Sequence, residues 1–477
     1  MGWLILATGL VLTGLVCSIW RLSATAQVSQ GRQNNPGPPF NDVRLFGARG
    51  DGQNDDSAAI QQAVNAGGSV VFPRGVFRIT KTIDIELDQS GFVSLRGDGV
   101  ATVVMEGAGP AFRFVGTHEG TADPASFKEN VWDRQRMPCV MGLEIIGSHN
   151  EASGIEATGV MQLTLSQVVL RRLLHGVHLV KRNRNILLDA CHIYENRGIG
   201  VFYDHVNLHQ SNISACHISY NGGGGVVVRG GDVRNIHITG CDIEGNHDPE
   251  GPPTANVLLD CTSGSVAEVA IVGCTIQHAH DAPESANIRV LGKSSFQRNA
   301  QTHEANWGNI TISDNVLSDV QTNIDLVGAR GVTITGNTIW QGFQHNLRLI
   351  DCSHFTITGN VCERNPPYGY AGPTNNAVVI QGCEDAVIAN NHFHGILGPD
   401  GVLLRDCRRV NVTGCNVLDC EGVELRLENV SQSRVSDCLI RDDRQDQASP
   451  GIVLHVTGGK DNLIADNLLG GEQIGGP

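Results

Sequence analysis

Aromatic residues are scarce in this chain, 5% of its 477 residues, and proline is nearly as thin at 17. Glycine is abundant at 58, with many Asn, Val and Ile beside it. That balance argues against a helix-built protein and suits short strands joined by tight turns. Basic charge is also short, with 34 Lys and Arg against 49 Asp and Glu and a formal net charge of -15. A clustered basic surface, which phosphate binding needs, is not expected, so no nucleic-acid partner is expected either. An acidic whole can still carry a basic groove, so charge has to be read strand by strand.

The apolar run from Trp3 to Trp20, followed by Ala24-Thr25-Ala26, reads as a signal peptide over residues 1–26 and predicts export to the periplasm, cell surface or medium. An uncleaved N-terminal anchor is the alternative, because the run almost spans a bilayer and no Lys or Arg precedes it. No other membrane contact is expected. Val16 stands where a lipobox before Cys17 needs a small residue, so lipidation is not expected. Residues 27–40, rich in Gln, Asn, Gly and Pro, read as a linker.

The length suggests two or three domains, but a repeated unit defeats that inference. From residue 186 a pattern recurs: short strand, two-residue turn, second strand, loop, third strand. NILLDACHIYEN, NISACHISYN, NIHITGCDIEGN, FTITGNVCE and VNVTGCNVLD are among its copies. The turn residue is in succession Cys191, Cys216, Cys241, Cys274, Asn315, Asn337, Asn360, Asn391, Cys415, Cys438 and Asn467. Such a period predicts an all-β solenoid, a right-handed parallel β-helix forming one domain over residues 41–477. Asn tolerates a left-handed turn, and stacked Asn side chains can hydrogen-bond in a ladder. Cys alternates with Asn there, so it reads as a small buried residue rather than half of a disulfide. Cys261, Cys352, Cys383 and Cys407 form a second such column, leaving Cys139, Cys362 and Cys420 as candidates for bridges.

Ahead of the repeats, DVRLFGARGDGQNDDSAAIQQAV, GGSVVFPRGVFRI and LRGDGVATVV read as a strand, a Gly-Asp turn, a short helix and the opening strands. Asp55 or Asp56 can cap the helix, Ile60 and Val64 give it an apolar face, and Gly67 ends it. This helix would close the open end of the barrel. Residues 42–105 resemble the N-terminal coils of the pectate lyase superfamily, which includes polygalacturonases, rhamnogalacturonases, epimerases and phage tailspikes. The resemblance implies the fold and a polysaccharide along the third-strand sheet; it does not single out one chemistry. The N-T-D, D-D, G-H-G and R-I-K signatures of polygalacturonases are not intact. Lys293-Ser294-Ser295 is similar to part of an alginate-lyase motif, and Tyr203-Asp204-His205 resembles the Tyr, Asp and His of mannuronan epimerases. Neither motif is complete, and the latter triplet reads first as an ordinary polar turn.

Strand alternation sorts the third strands into inward and outward residues. The outward set holds Glu156, His178, Arg229, Asp260, Arg289, Asp325, Arg348, Gln381, Arg405, Glu424 and Arg426. Five Arg against four carboxylates is a local excess of positive charge, suited to an anionic glycan. A ladder of salt bridges on a solvated sheet would give the same composition. Arg289, Asp325 and Arg348 fall at equivalent places on three successive coils, with Asp260 one coil before. Asp260 and Asp325 are therefore the expected acid and base of a hydrolase, with Arg289 and Arg348 holding a charged sugar. Arg229, Gln381 and Arg405, with Trp307, Tyr368 and Tyr370 from long flanking loops, are expected to bind substrate. β-Elimination is the level alternative, with a divalent cation if needed; otherwise no cofactor is expected, and no metal ligand set is defined. A non-catalytic glycan-binding or envelope protein is the rival reading.

Overall fold

The computed structural model describes residues 40–120, 123–292, 307–366, 374–444 and 451–475. Apart from one short α-helix at the N-terminal end and a few single turns, these residues are short parallel strands. Each strand pairs with its counterpart one coil before and one coil after: Asp232–Thr239 with Ser265–Val272, that strand with Gly308–Ser313, and so on. This is the right-handed parallel β-helix expected, with three strands per coil.

Period-two alternation drives the stack. Inward positions repeat one residue type down the column, as in Ile238, Ile271, Ile312, Ile334, Ile357 and Ile388, each beside the next and each essentially without solvent contact. Burying one such side chain contributes about 2 kcal/mol, and the column is renewed at every coil.

Two ladders of small side chains hold the turns. In the first, Asn337 donates its amide to Asn360 Oδ1 at 2.9 Å, and Asn360 donates to Asn391 at 2.9 Å. Where Cys replaces Asn, the sulfur takes over as acceptor, as when the Cys191 N–H points at Cys216 Sγ at 3.4 Å. Cys139, Cys362 and Cys420, the three candidates for bridges, are free thiols like the ladder cysteines. The left-handed backbone, however, falls on the residue before each ladder position, among them Ala190, Gly240, Asp314, Gly336 and Asp437. The ladder residue is therefore selected for its side chain and not for its backbone. A second ladder runs beside the start of the third strands: Asn196, Asn221, Asn246, Asn256, Asn287, Asn323 and Asn346 pass amide hydrogen bonds of 2.7 to 3.0 Å along the stack, with Asn246 and Asn256 on the same coil.

The helix α1 (Ser57–Asn65) closes the N-terminal end with Ile60, Ala63 and Val64 fully buried. Asp55 caps it, accepting from the Ser57 N–H at 3.0 Å, while the Asp56 carboxylate turns back onto the Arg49 and Gly50 N–H groups. Gln61 exchanges two hydrogen bonds with the backbone of Asp84, standing in for the strand that is missing at this edge.

Candidate active face

Register divides the outward residues of the third sheet into two parallel columns. In the first, Arg113, Glu156, His178, Phe202, Val227, Leu258, Arg289, Asp325, Arg348, Val379, Leu403, Arg426 and His455 follow one another. In the second, two residues further along each strand, run Asp204, Arg229, Asp260, Leu291, Val327, Ile350, Gln381, Arg405 and Glu428. Asp260 thus aligns with Arg229 and Leu291, not with Arg289, whose neighbour in the preceding coil is Leu258.

That register breaks the expected acid and base apart. Asp260 spends one oxygen on its own turn, accepting from the N–H and hydroxyl of Thr262. Asp325 is 4% exposed and clamped, 2.8 Å from Arg289 and 2.6 Å from Arg348. A buried carboxylate between two guanidiniums is engaged in holding them and does not face a substrate. Arg289 is also committed, donating to the backbone oxygens of Glu284 (2.7 Å) and Thr254 (3.4 Å) as well as to Asp325. Arg348 keeps more than a third of its side chain in solvent.

Three further expectations change. Trp307 does not offer a stacking face: it is packed into the core with its indole N–H on the Gly328 carbonyl at 3.1 Å. Glu424 is not on the outer face either. It sits one residue before its strand, where Asn323 and Asn346 stand on earlier coils, and burial pushes its carboxyl up to about 7. Arg405 is in a surface pair with Glu428 at 2.6 Å, and its neighbour in register is Gln381. Tyr368, Tyr370 and Lys293-Ser294-Ser295 lie outside the described residues.

The structure instead gathers a polar cluster nearer the N-terminus. Tyr203 and Asp204 end the third strand of their coil, and His205 stands at the expected turn, with left-handed backbone (φ 47°) between the pairing that ends at Asp204 and the one that begins at Asn207. Tyr203 points inward, fully buried with its hydroxyl 2.6 Å from Ser211, and burial raises it to about 12. Asp204 faces outward between two imidazoles: Oδ2 is 3.1 Å from His178 Nε2 and Oδ1 is 2.7 Å from His205 Nδ1. The other nitrogen of His178 lies 3.6 Å from Glu156, whose carboxylate also holds Arg113 at 2.8 Å. Arg113 in turn reaches Asp84 at 3.2 Å.

The electrostatics follow from this chain. Partial burial disfavours the charged form of His178, but hydrogen bonds to Glu156 and Asp204 outweigh it and move the imidazole above its usual range. Glu156 is held below the ordinary carboxylate range, first by its contact with His178, and Asp204 is low despite desolvation because both imidazoles face it. His175, 5.3 Å from the His178 ring, accepts the Ile199 N–H and is desolvated down to about 4, so it stays neutral. Phe202 stacks on His178 with ring centres 5.3 Å apart, and the Arg229 guanidinium lies 5.8 Å from the Phe202 centre. His205 is the most exposed member, with Asp204 fixing one nitrogen. His175, Phe202 and Arg113 were not singled out by sequence reasoning. Arg113, in the strand PAFRFV, carried the readable signal of an outward charge on an earlier third strand.

With this geometry in hand, comparison with known proteins settles the lineage. Residues 40–346 match the family described as rhamnogalacturonase A/epimerase, pectate lyase-like. The chain belongs to that family. A second match, over residues 285–475 and overlapping the first only in part, is to the family described as periplasmic copper-binding protein (NosD). Among solved structures, the chain is similar to tailspike protein 3 of bacteriophage CBA120, at 14% identity and a TM-score of 0.53, covering 90% of this chain. It spans only 61% of that tailspike's length. It is also similar to the A-module of the Azotobacter vinelandii mannuronan C-5 epimerase AlgE4, at 16% identity and a TM-score of 0.41, covering 91% of this chain and 98% of that one. The tailspike likeness shows the shared β-helix. No curated protein matches the chain in sequence.

Proposed function

We propose that this protein is exported and acts on an anionic polysaccharide laid along the third sheet, by removing a proton beside a uronate carboxylate and eliminating the linked sugar. The observation that carries the reading is the outward His205–Asp204–His178–Glu156 chain with Arg229 beside it. His205 Nδ1 faces Asp204 Oδ1 at 2.7 Å, and in the tautomer that donates to this carboxylate Nε2 is the nitrogen left to take a proton. A carboxylate that fixes the imidazole tautomer in this way is the usual device for an acid–base histidine.

In this reaction the uronate carboxylate pairs with Arg229, which offsets the charge that develops when the adjacent C–H is deprotonated. His205 takes that proton, the carbon–oxygen bond to the next sugar breaks, and a carbon–carbon double bond forms. The imidazolium returns its proton to the departing oxygen. Hydrolysis, the level alternative from sequence, is less well supported, since Asp260 and Asp325 are separated and engaged while Glu156 and Asp204 enclose an imidazole instead of a water. Among the described residues no three His, Cys, Asp or Glu side chains converge to hold a metal ion. Arg229 carries the neutralisation in this reading. A polysaccharide partner and export agree with the family and with the segment Trp3–Ala26.

The test is incubation with polygalacturonate, alginate, hyaluronan and heparin, following both reducing ends and ultraviolet absorbance of unsaturated products. The parent should produce both signals on at least one polymer, and His205→Gln should lose at least about a hundredfold in rate. Reducing ends without absorbance would replace elimination by hydrolysis. Binding without turnover would make the protein a glycan-binding surface.

A further inference from the structure

We infer that the cleft around Arg348 is a second carboxylate-binding station for the same polysaccharide, so that a productive substrate is a linear polyuronate long enough to reach both. The inference rests on the reading of His205 and Arg229 as the reacting end. The cleft encloses about 450 Å³. Leu258, Leu291 and Val327 form its apolar floor, and Arg289 and Arg348 stand at its wall. Apolar floor and cationic wall match the two faces of a sugar acid, whose ring carbons are greasy and whose carboxylate is charged.

The two guanidiniums are not equivalent. Arg289 has each of its three nitrogens engaged, on Asp325 and two backbone oxygens. Arg348 shares one nitrogen with Asp325 at 2.6 Å and leaves the rest of its fork toward the cleft. Two Arg stand against Asp325 and Glu284, so the lining has no net charge and its cationic character is local, confined to the part of the Arg348 guanidinium that Asp325 does not engage. Beside it, His345 keeps Nδ1 buried without a hydrogen-bond partner, and burial together with Arg348 holds the ring below its usual range, hence neutral. That nitrogen is closed to solvent as the ring stands, and a sugar hydroxyl reaches it after a small turn of the imidazole. Glu284 also lines the cleft at its solvent side and sets the limit of the positive region.

The stations lie on the same face. Arg229 and Arg348 are separated by four coil steps, through Asp260, Leu291 and Val327 in the second column. At strand spacing of about 4.8 Å that is roughly 19 Å, the length of several sugar units. Asp260 lies between them with one oxygen held at its turn, so the unit passing over it should present hydroxyls rather than its carboxylate.

The test is affinity measured by calorimetry against size-graded oligogalacturonides and oligomannuronides. Affinity should step up by at least about tenfold once the oligomer spans both stations, as tethered binding requires. Arg348→Ala should bring the long oligomers down to the affinity of the short ones. His345→Phe, which keeps the ring volume and leaves the Asp325 pairs intact, should remove part of the step and guards against a folding effect of the first variant. A smooth dependence on length, or a step that survives both variants, overturns the inference while leaving the His205 reading in place. No binding by any oligomer overturns both.

Discussion

Two acidic side chains show how place decides chemistry. Asp325 and Glu424 are both buried, but Asp325 has two guanidiniums and Glu424 has an oxygen without a partner. Breaking a buried ion cluster from one side costs about 3–5 kcal/mol. Asp325→Asn should therefore lower the melting temperature markedly, whereas Asp260→Asn should turn over substrate like the parent. Denaturation curves beside rate measurements separate the two. For Glu424, the folded value of about 7 lies above the unfolded value of 4.5, so the native state holds the proton longer. Stability is then lost as pH rises from about 4.5 through 7, by an amount on the order of 3 kcal/mol. Glu424→Gln should abolish that loss, and urea midpoints at pH 5 and pH 8 would show it. Neutral buried imidazoles such as His175, near 4, act in the opposite direction, losing stability as pH falls below about 6.5. A Glu156→Gln variant removes a main contact that raises His178 and should lower the pH at which that ring titrates, as followed by the NMR shifts of its ring protons.

The turn ladder is where sequence reading worked best, because its residue type repeats at a fixed step. Asn360 both receives from Asn337 and donates to Asn391, and its second amide hydrogen reaches the Ile334 carbonyl at 3.1 Å. Asn360→Ala strands these groups and should cost about 2–3 kcal/mol. Asn360→Cys, the substitution the column itself makes at Cys415, should cost less; thermal unfolding of the pair is the check. Alternation was equally readable, so inward and outward faces came out right for Arg289, Asp325 and Arg348. Alternation does not say which of two outward columns a residue joins, and that is how Asp260 came to be placed beside Arg289. Nor does it hold beyond the strand: Glu424 lies one residue outside it and turns in, and Trp307 fills the core from a loop. The His178 cluster was hidden for another reason. Its members come from several coils, and only pairing register brings Arg113, Glu156, His178 and Asp204 together.

At the scale of the whole molecule, the described cysteines are spent on packing, and the proposed export would place them in an oxidising compartment. Thiol titration of the denatured protein should find the thirteen cysteines from Cys139 to Cys438 reactive; a count near zero would mean that stacked neighbours had oxidised. Glycan binding should weaken steeply with added salt, because an acidic molecule attracts a polyanion only through local cationic patches and must do so within a screening length of about 8 Å.

Between the His178 cluster and the Arg348 cleft, Phe202, Val227 and Leu258 form an apolar strip that is shut off from solvent. The strip carries no charge, and what separates the clusters is distance: His178 and Arg348 stand six coil steps apart, roughly 29 Å at about 4.8 Å per step against a screening length of about 8 Å. Protonation at one end is then little felt at the other, so the grip on the distant sugar stays constant while the reacting end gains and loses its proton. Each end of the face is then free to change its chemistry in evolution without retuning its neighbour.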